Sequence, residues 1–505
     1  MKSSLVCEEM TELNRNRKII VTFALILSNG MAGLDGTIVN TALPAIISDL
    51  HGLQYMGWII AIFLLGMAIS TPLWSKFGER QGNKLAYMVG TGLFAVGALL
   101  QGIAPNIVWF IVARGIMGIG AGGMNTIPFI IYAQIFSNLK RRAQVIGLAT
   151  ASFSTASIIG PLVGGWLVDT FSWHWVFFLN LPIAVLSILL VAFYLKLAEQ
   201  LNRSAVDYHG AALMILGLSL ILVAIQLWGT ASMGVTLGLI VVGILVLVVM
   251  ARVETRVPDP IIPSRLFKNS KLMIDFALFA ILWGAFVAFN IYIPMWAQGI
   301  LGLTALVGGV TQIPGSITNF VGSEIGPLYQ HKLGRYGIIS LGTGAFLISF
   351  LGMVVAGNQA SYWFLLVMGA FEGLGLGLCF NVLQVAVQDD AGMKDVPIAT
   401  SFAYLVRILS QTFMTSVYGV ILNQALSTGV GTSHGQVTMA MMNKLSNSKV
   451  VDQLPQKLLP MMRQIMYNGI HNIMVMALML VLVVVVILGL IYLRLWRRRV
   501  SLVKQ

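Results

Sequence analysis

Charge is scarce in this chain. Of its 505 residues only 10% are Asp, Glu, Lys or Arg, 57% are hydrophobic, and the mean hydropathy is +0.87. Such a composition excludes a soluble globular domain, which carries about 25% charged residues. Cysteine is nearly absent. Cys7 and Cys379 are far apart, so neither a disulfide framework nor a metal-ligand spacing can be built from them. The glycine-rich P-loop pattern and HExxH do not occur, which leaves ATP-driven chemistry and zinc hydrolysis without support. The six histidines are scattered, and His174 and His209 suit a headgroup interface. No soluble-enzyme constellation survives.

What is present is a series of long apolar runs. A tilted membrane helix needs roughly 17–25 apolar residues. That rule predicts about fourteen spans: 19–47, 54–74, 85–103, 107–130, 143–167, 175–195, 209–229, 233–251, 273–297, 305–328, 337–356, 361–386, 398–423 and 471–493. The first run is longer than a signal-peptide core and lacks a small-residue cleavage site, so it is expected to stay in the mature protein.

The formal charge of +13 has a topological order. Lys and Arg cluster before span 1 (Arg15, Arg17, Lys18) and after spans 2, 4, 6, 8, 10 and 12, and again at the end (Arg494, Arg497, Arg498, Arg499, Lys504). The intervening short loops 49–53, 104–106, 168–174, 230–232, 298–304 and 357–360 contain none. This bias sets orientation, and it predicts cytoplasmic termini and an even number of spans. It also removes the nucleic-acid reading of a basic chain. The exception is 424–470, expected to be external despite Lys444, Lys449, Lys457 and Arg463. Its Leu458, Leu459, Met461, Met462 and Ile465 suggest either a short helix on the membrane surface or a disordered cap.

Two segments echo one another. Ser75–Lys84 follows span 2 and Pro327–Arg335 follows span 10, each with a basic residue two positions before a Gly. Parallel halves with weak internal similarity occur in transporter folds. Span 5 places Ser152, Ala156, Gly160 and Gly164 at steps of four, beside Pro161 and Gly165, a face that lets another helix backbone approach. Gly118 and Gly122 repeat this step in span 4, and Gly369, Gly373 and Gly377 in span 12 read as ordinary tight packing.

Five ionisable residues fall well inside spans: Asp35, Arg114, Glu324, Glu372 and Arg407. An ionised Asp at a membrane helix centre costs about 2.5–3.5 kcal/mol, so such a residue faces a protein-lined cavity. Asp35 either gains and loses a proton there or only hydrogen-bonds a neighbouring helix. Arg114 lies at similar depth; desolvation disfavours an ionised Asp35 and a paired arginine favours it. Glu324 and Glu372 either line the cavity or are structural. Arg407 snorkels, pairs structurally, or serves transport. Asp275 lies too near the border to count. Trp58, Trp109, Trp283, Trp296 and Trp363 read mostly as interface anchors, although Trp283, Phe286 and Phe289 could offer ring faces to a cation.

Several stretches together resemble one family. Leu34–Pro44 (LDGTIVNTALP) resembles the first-span signature of the fourteen-span drug:proton antiporters of the major facilitator superfamily. Arg114–Gly122 (RGIMGIGAG) resembles that superfamily's fourth-span motif, and Ala156–Gly165 (ASIIGPLVGG) its fifth-span antiporter motif. Trp173–Pro182 (WHWVFFLNLP) is similar to a segment of the EmrB/QacA subfamily. There are departures: Ser75, Glu79 and Asn83 stand where Gly, Asp and Arg are usual, Met117 where Gln is frequent, Ala156 for Gly and His174 for Arg.

The resemblance implies an all-α integral membrane protein of the major facilitator fold. Its parts would be a cytoplasmic tail (1–18), a six-helix bundle (19–200), two inserted helices (201–256), a second bundle (257–493, with the 424–470 loop) and a basic tail (494–505). It implies a plasma-membrane exporter, bacterial and monomeric, that trades protons for a lipophilic and cationic small molecule, with the proton-motive force in place of a cofactor. By the same resemblance Asp35 carries the proton, Arg114 is the fourth-span arginine, and Glu324 is a tenth-span acid. Gly160, Pro161, Gly164 and Gly165 would form the hinge, and Glu79, Arg80, Gly82 and Lys84 the cytoplasmic gating loop. A same-fold exporter of a metabolite, peptide, lipid or osmolyte, or a membrane sensor without turnover, are the alternatives.

Overall fold

Long apolar runs leave the backbone no water to bond, so they satisfy their polar groups internally as helices. In the computed structural model every regular element among the described residues (14–136, 138–196, 208–228, 231–254, 264–391, 396–447 and 449–503) is helical. In chain order they are α1 Arg15–Leu50, α2 Met56–Gln81, α3 Asn83–Gly102, α4 Ile107–Ile135, α5 Leu139–Thr170, α6 His174–Phe178, α7 Asn180–Tyr194, α8 Tyr208–Gln226 and α9 Met233–Glu254. Then follow α10 Ser270–Met295, α11 Ala305–Val310, α12 Ile313–Val355, α13 Tyr362–Ala391, α14 Val396–Thr432, α15 Met439–Leu445 and α16 Leu459–Val503. The chain divides into two compact units, Met1–Ile261 and Ile262–Gln505. The pair α8 and α9, packed on each other, belongs to the first unit.

Polar side chains start several helices where the apolar run gives no signal. Asn106 accepts from the Trp109 N–H at 2.9 Å, and Asn269, Thr304 and Thr438 cap α10, α11 and α15 in the same way. Two helices are stopped by glycine. Gly82 (φ 101°) separates α2 from α3, and Gly334 (φ 70°, ψ 168°) breaks α12 internally. A side chain at either position would be strained.

In the first unit α1 packs on α5, α2 and α3 on α4, and α7 on α1 and α3. The small-residue face of span 5 is what allows the first contact. A Cβ at Gly160 would lie 2.2 Å from Thr37 Oγ1, and one at Gly164 would lie 2.5 Å from Ile38 Cγ1. Ser157 Oγ donates to Gly33 O at 3.0 Å, since backbones this close bring hydroxyls within reach of carbonyls. Gly165 and Pro161 are buried within the same helix. In the second unit α12 packs on α13, and α10 and α16 pack on α14. The glycines of α13 serve that packing: a Cβ at Gly373 would lie 1.9 Å from Gly315 O.

Three expectations need revision. Twelve helices among the described residues are long and apolar enough to cross a membrane, not fourteen. The difference arises at α8, whose apolar stretch Ala212–Gln226 is short, and at Ala305–Val355, where one continuous helical stretch contains both expected spans 10 and 11, broken in backbone angle at Gly334. The expected surface helix near Leu458–Ile465 is instead the first turns of α16, with Met462 and Met466 fully buried against protein. Trp296 and Trp283 are core residues rather than interface anchors, whereas Trp363 and Trp109 stay exposed. Cys7, Arg203, Arg256 and Lys394 lie outside the described residues.

Gly373→Val should lower the detergent-solubilised melting temperature by an overpacking cost of about 1–3 kcal/mol. Gly344→Val, where an added Cβ meets nothing within 4 Å, should leave it unchanged. Equal melting of the two variants would contradict the close α12–α13 packing.

Candidate functional site

The first-unit site begins with Asp35 on α1, a carboxylate 1% exposed. It is held at a turn of α1 pressed against α5: Gly160, where a Cβ would lie 3.1 Å from Leu34 O, leaves no room for water from that side. Arg114 on α4, 3% exposed, points at it with Nη1 3.6 Å from Oδ2. Arg114 and Asn180 both stand within hydrogen-bonding reach of the Asp35 carboxylate, but neither makes a well-formed bond to it. Charge-assisted bonds of arginine to carboxylate close to about 2.7–2.9 Å. This pair is therefore a loose charge contact, longer than a well-formed arginine–carboxylate bond.

Arg114 has other holds. Its guanidinium carbon lies 4.2 Å over the Phe63 ring of α2, and Nη1 donates to Met117 Sδ at 3.7 Å. The same sulfur accepts from Gln101 Nε2 at 2.8 Å. Met117, standing where the resembled family often has Gln, thus still works as an acceptor. Asn180, fully buried at the start of α7, stands beside the Asp35 carboxylate. Its amide nitrogen and oxygen make no well-formed hydrogen bond, nor does Gln101 Oε1. The result is a buried group of polar atoms with bonding capacity to spare.

The other expected residues do not join this group. Glu372 on α13 is 4% exposed, and its Oε1 has no partner, lodged beside Gly315 and Gly369 of the second unit. Glu324 on α12 is exposed and makes no hydrogen bond or ion pair with the described residues. In the loop motif, Glu79 pairs with Lys76 at 3.3 Å, Lys84 Nζ donates to Ala192 O at 2.6 Å, and Gly82 supplies the left-handed turn between α2 and α3. Gly160, Pro161, Gly164 and Gly165 all sit on buried α5 positions.

Asp275 was passed over on depth, yet it is fully buried. Arg335, the residue after the Gly334 break, reaches it at 4.0 Å and bonds Asp390 Oδ2 at 2.5 Å. Asn269 Nδ2 ties into the same corner by donating to Asp390 O at 2.6 Å. Sequence reasoning also missed Asn180, although a lone Asn opening the apolar run Leu181–Phe193 was a readable signal. A G-x-S-x-G spacing does occur at Gly431–Gly435. Ser433 is buried there, donating to Val430 O at 2.6 Å and accepting from the Val437 N–H at 3.1 Å, at a helix end rather than a strand-to-helix turn. It is a turn residue, not a nucleophile.

A multi-pass helical membrane protein with charges buried inside its bundles is the class these features define. Residues 25–415 match the Major Facilitator Superfamily. The chain belongs to that superfamily and is a transporter, not an enzyme. It is 30% identical over 424 residues to the multidrug transporter protein MdtP of Bacillus subtilis, covering 82% of this chain and 76% of that one. It is 29% identical over 410 residues to multidrug resistance protein 3 of the same organism, covering 79% of each. The fungal efflux pump dotC of Dothistroma septosporum is 29% identical over 420 residues, covering 80% of this chain and 71% of its own. Among solved folds, a bacterial homolog of the human lysosomal transporter Spinster superposes with a TM-score of 0.62 at 15% identity, over 94% of this chain and 97% of that one.

Removing one side of a buried pair leaves the other charge stranded. Arg335→Gln should therefore destabilise the protein by about 3 kcal/mol, the low end for such a loss because Arg335 is partly exposed. Adding Asp275→Asn should restore most of the melting temperature. A loss under about 1 kcal/mol, typical of a surface pair, would count against the network.

Proposed function

We propose that this transporter is a proton-coupled exporter of lipophilic, cationic compounds, a drug:proton antiporter working by alternating access. The observation that carries the reading is Asp35: a buried carboxylate held only loosely, 3.6 Å from the buried Arg114. Protonating Asp35 leaves the buried Arg114 without its counter-charge, held only by Phe63 and Met117, so the proton on Asp35 is coupled to the position of Arg114. Relatives named as multidrug transporters and efflux pumps support an exported drug-like cargo.

In this reading Asp35 exchanges its proton for cargo and Arg114 responds to its charge. The α1–α5 contact at Gly160 and Gly164 carries the change through the first unit. Glu372 is a second acid, suited to a cationic group. The chain crosses a bacterial plasma membrane as a monomer, both termini inside.

The energetics favour more than one acid. A tenfold proton gradient supplies about 1.4 kcal/mol per proton, and 100 mV supplies about 2.3 kcal/mol per net charge moved. Exchange of one proton for one monovalent cation moves no net charge and uses the pH term alone. A second proton lets the membrane potential contribute.

Asp35→Asn should abolish pH-driven efflux of ethidium from loaded proteoliposomes while the variant still folds and elutes as a single species, with a lowered melting temperature because Arg114 loses its counter-charge. Full gradient-driven efflux in that variant would remove Asp35 from the coupling step.

A further inference from the structure

Arg407 on α14 lies among aromatic rings. Its guanidinium carbon is 4.9 Å from the Phe380 ring centre, 5.3 Å from Tyr404, and 5.4 Å from both Phe279 and Trp283. These rings come from three helices, α10, α13 and α14, which pack on one another within the second unit. The ring face that the sequence offered to a cation at Trp283 is thus turned toward the protein's own cation.

What this guanidinium lacks is an anion. Arg114 faces Asp35 and Arg335 faces Asp275 and Asp390. Arg407 makes no ion pair with any described residue, and its Nε has no hydrogen-bond partner. A guanidinium keeps its charge at any physiological pH. Ring faces attract it through their quadrupoles but cannot neutralise it. A largely buried charge without a counter-ion is costly to keep.

The cage also has an open side. Phe279 and Trp283 are buried and form its floor, while Arg407, Tyr404 and Phe380 remain partly exposed. A ligand entering there meets aromatic faces for stacking and the planar N–H edge of the guanidinium, whose geometry matches a carboxylate bidentately.

We propose that the Arg407 cage is a binding site for aromatic monoanions, a flat ring system bearing a carboxylate. The anion supplies the missing counter-charge at Arg407, and its ring stacks against Phe380, Tyr404 and Trp283. The site belongs to the second unit alone, and binding to it does not depend on proton coupling. The transporter therefore recognises acids as well as the cationic cargo proposed above.

The test is calorimetric titration of the full chain in phosphatidylcholine nanodiscs with 2-naphthoate, its uncharged analogue 2-naphthalenemethanol, and the ringless anion hexanoate. Wild type should bind 2-naphthoate about tenfold tighter than either comparison compound. Arg407→Gln should remove that preference and leave the alcohol unaffected, and Arg407→Lys should retain part of it. Phe380→Leu keeps the charge and removes a wall, so it should weaken 2-naphthoate several-fold with hexanoate unchanged. Equal binding of all three ligands by wild type overturns the proposal, as does unaltered 2-naphthoate affinity in Arg407→Gln or Phe380→Leu. Hexanoate matching 2-naphthoate would assign the site to anions without regard to a ring and would overturn it equally.

Discussion

The exclusion of water from charged groups governs the rest of this structure. In a chain with so few charges, those that enter a bundle are costly, and the helices bring Arg114 to Asp35, Arg335 to Asp275 and ring faces to Arg407. Asp35 and Arg114 meet where α1 packs on α4, and glycines let α1 also press on α5 and α4 on α2 around them. Were those helices a side chain further apart, water would enter and the pair would become an ordinary solvated one. The packing glycines and the buried charges are one design seen from two sides.

Much of this was legible in the residues. The positions of Asp35 and Arg114 stood out because a charged residue inside an apolar run is rare enough to be informative. The packing face of α5 was legible at Ser152, Ala156, Gly160 and Gly164 because small residues at steps of four let a backbone approach, but that α1 fills it was not. Asp275 was not legible, since proximity to the end of a run looks the same whether a residue faces water or a buried arginine. Arg407 was ambiguous for a similar reason: its partners are rings on α10 and α13, far away in sequence. The expected count and the helices differ at Ala305–Val355 because helix runs on through the polar segment Gln330–Arg335 that the sequence marks as a loop, and only the backbone angles of Gly334 record the break.

The two weak loop echoes gain meaning from backbone geometry. Gly82 in the first unit and Gly334 in the second both take positive φ, and each follows a basic residue by two positions. Lys84 bonds a carbonyl of α7, whereas Arg335 ties together two acids. One turn geometry has been kept while the charges around it have diverged. The first-unit turn carries an exposed pair, Lys76 with Glu79, and the second-unit turn guards the buried Asp275.

Charge exchange at Asp35 is the step on which the functional account turns. It can be read without transport, by adding tetraphenylphosphonium to the purified protein in weakly buffered detergent solution and following the pH. The account predicts that cargo binding releases protons from wild type and that Asp35→Asn releases measurably fewer at the same occupancy. Identical release from both proteins, or none from wild type at saturating cargo, would contradict it.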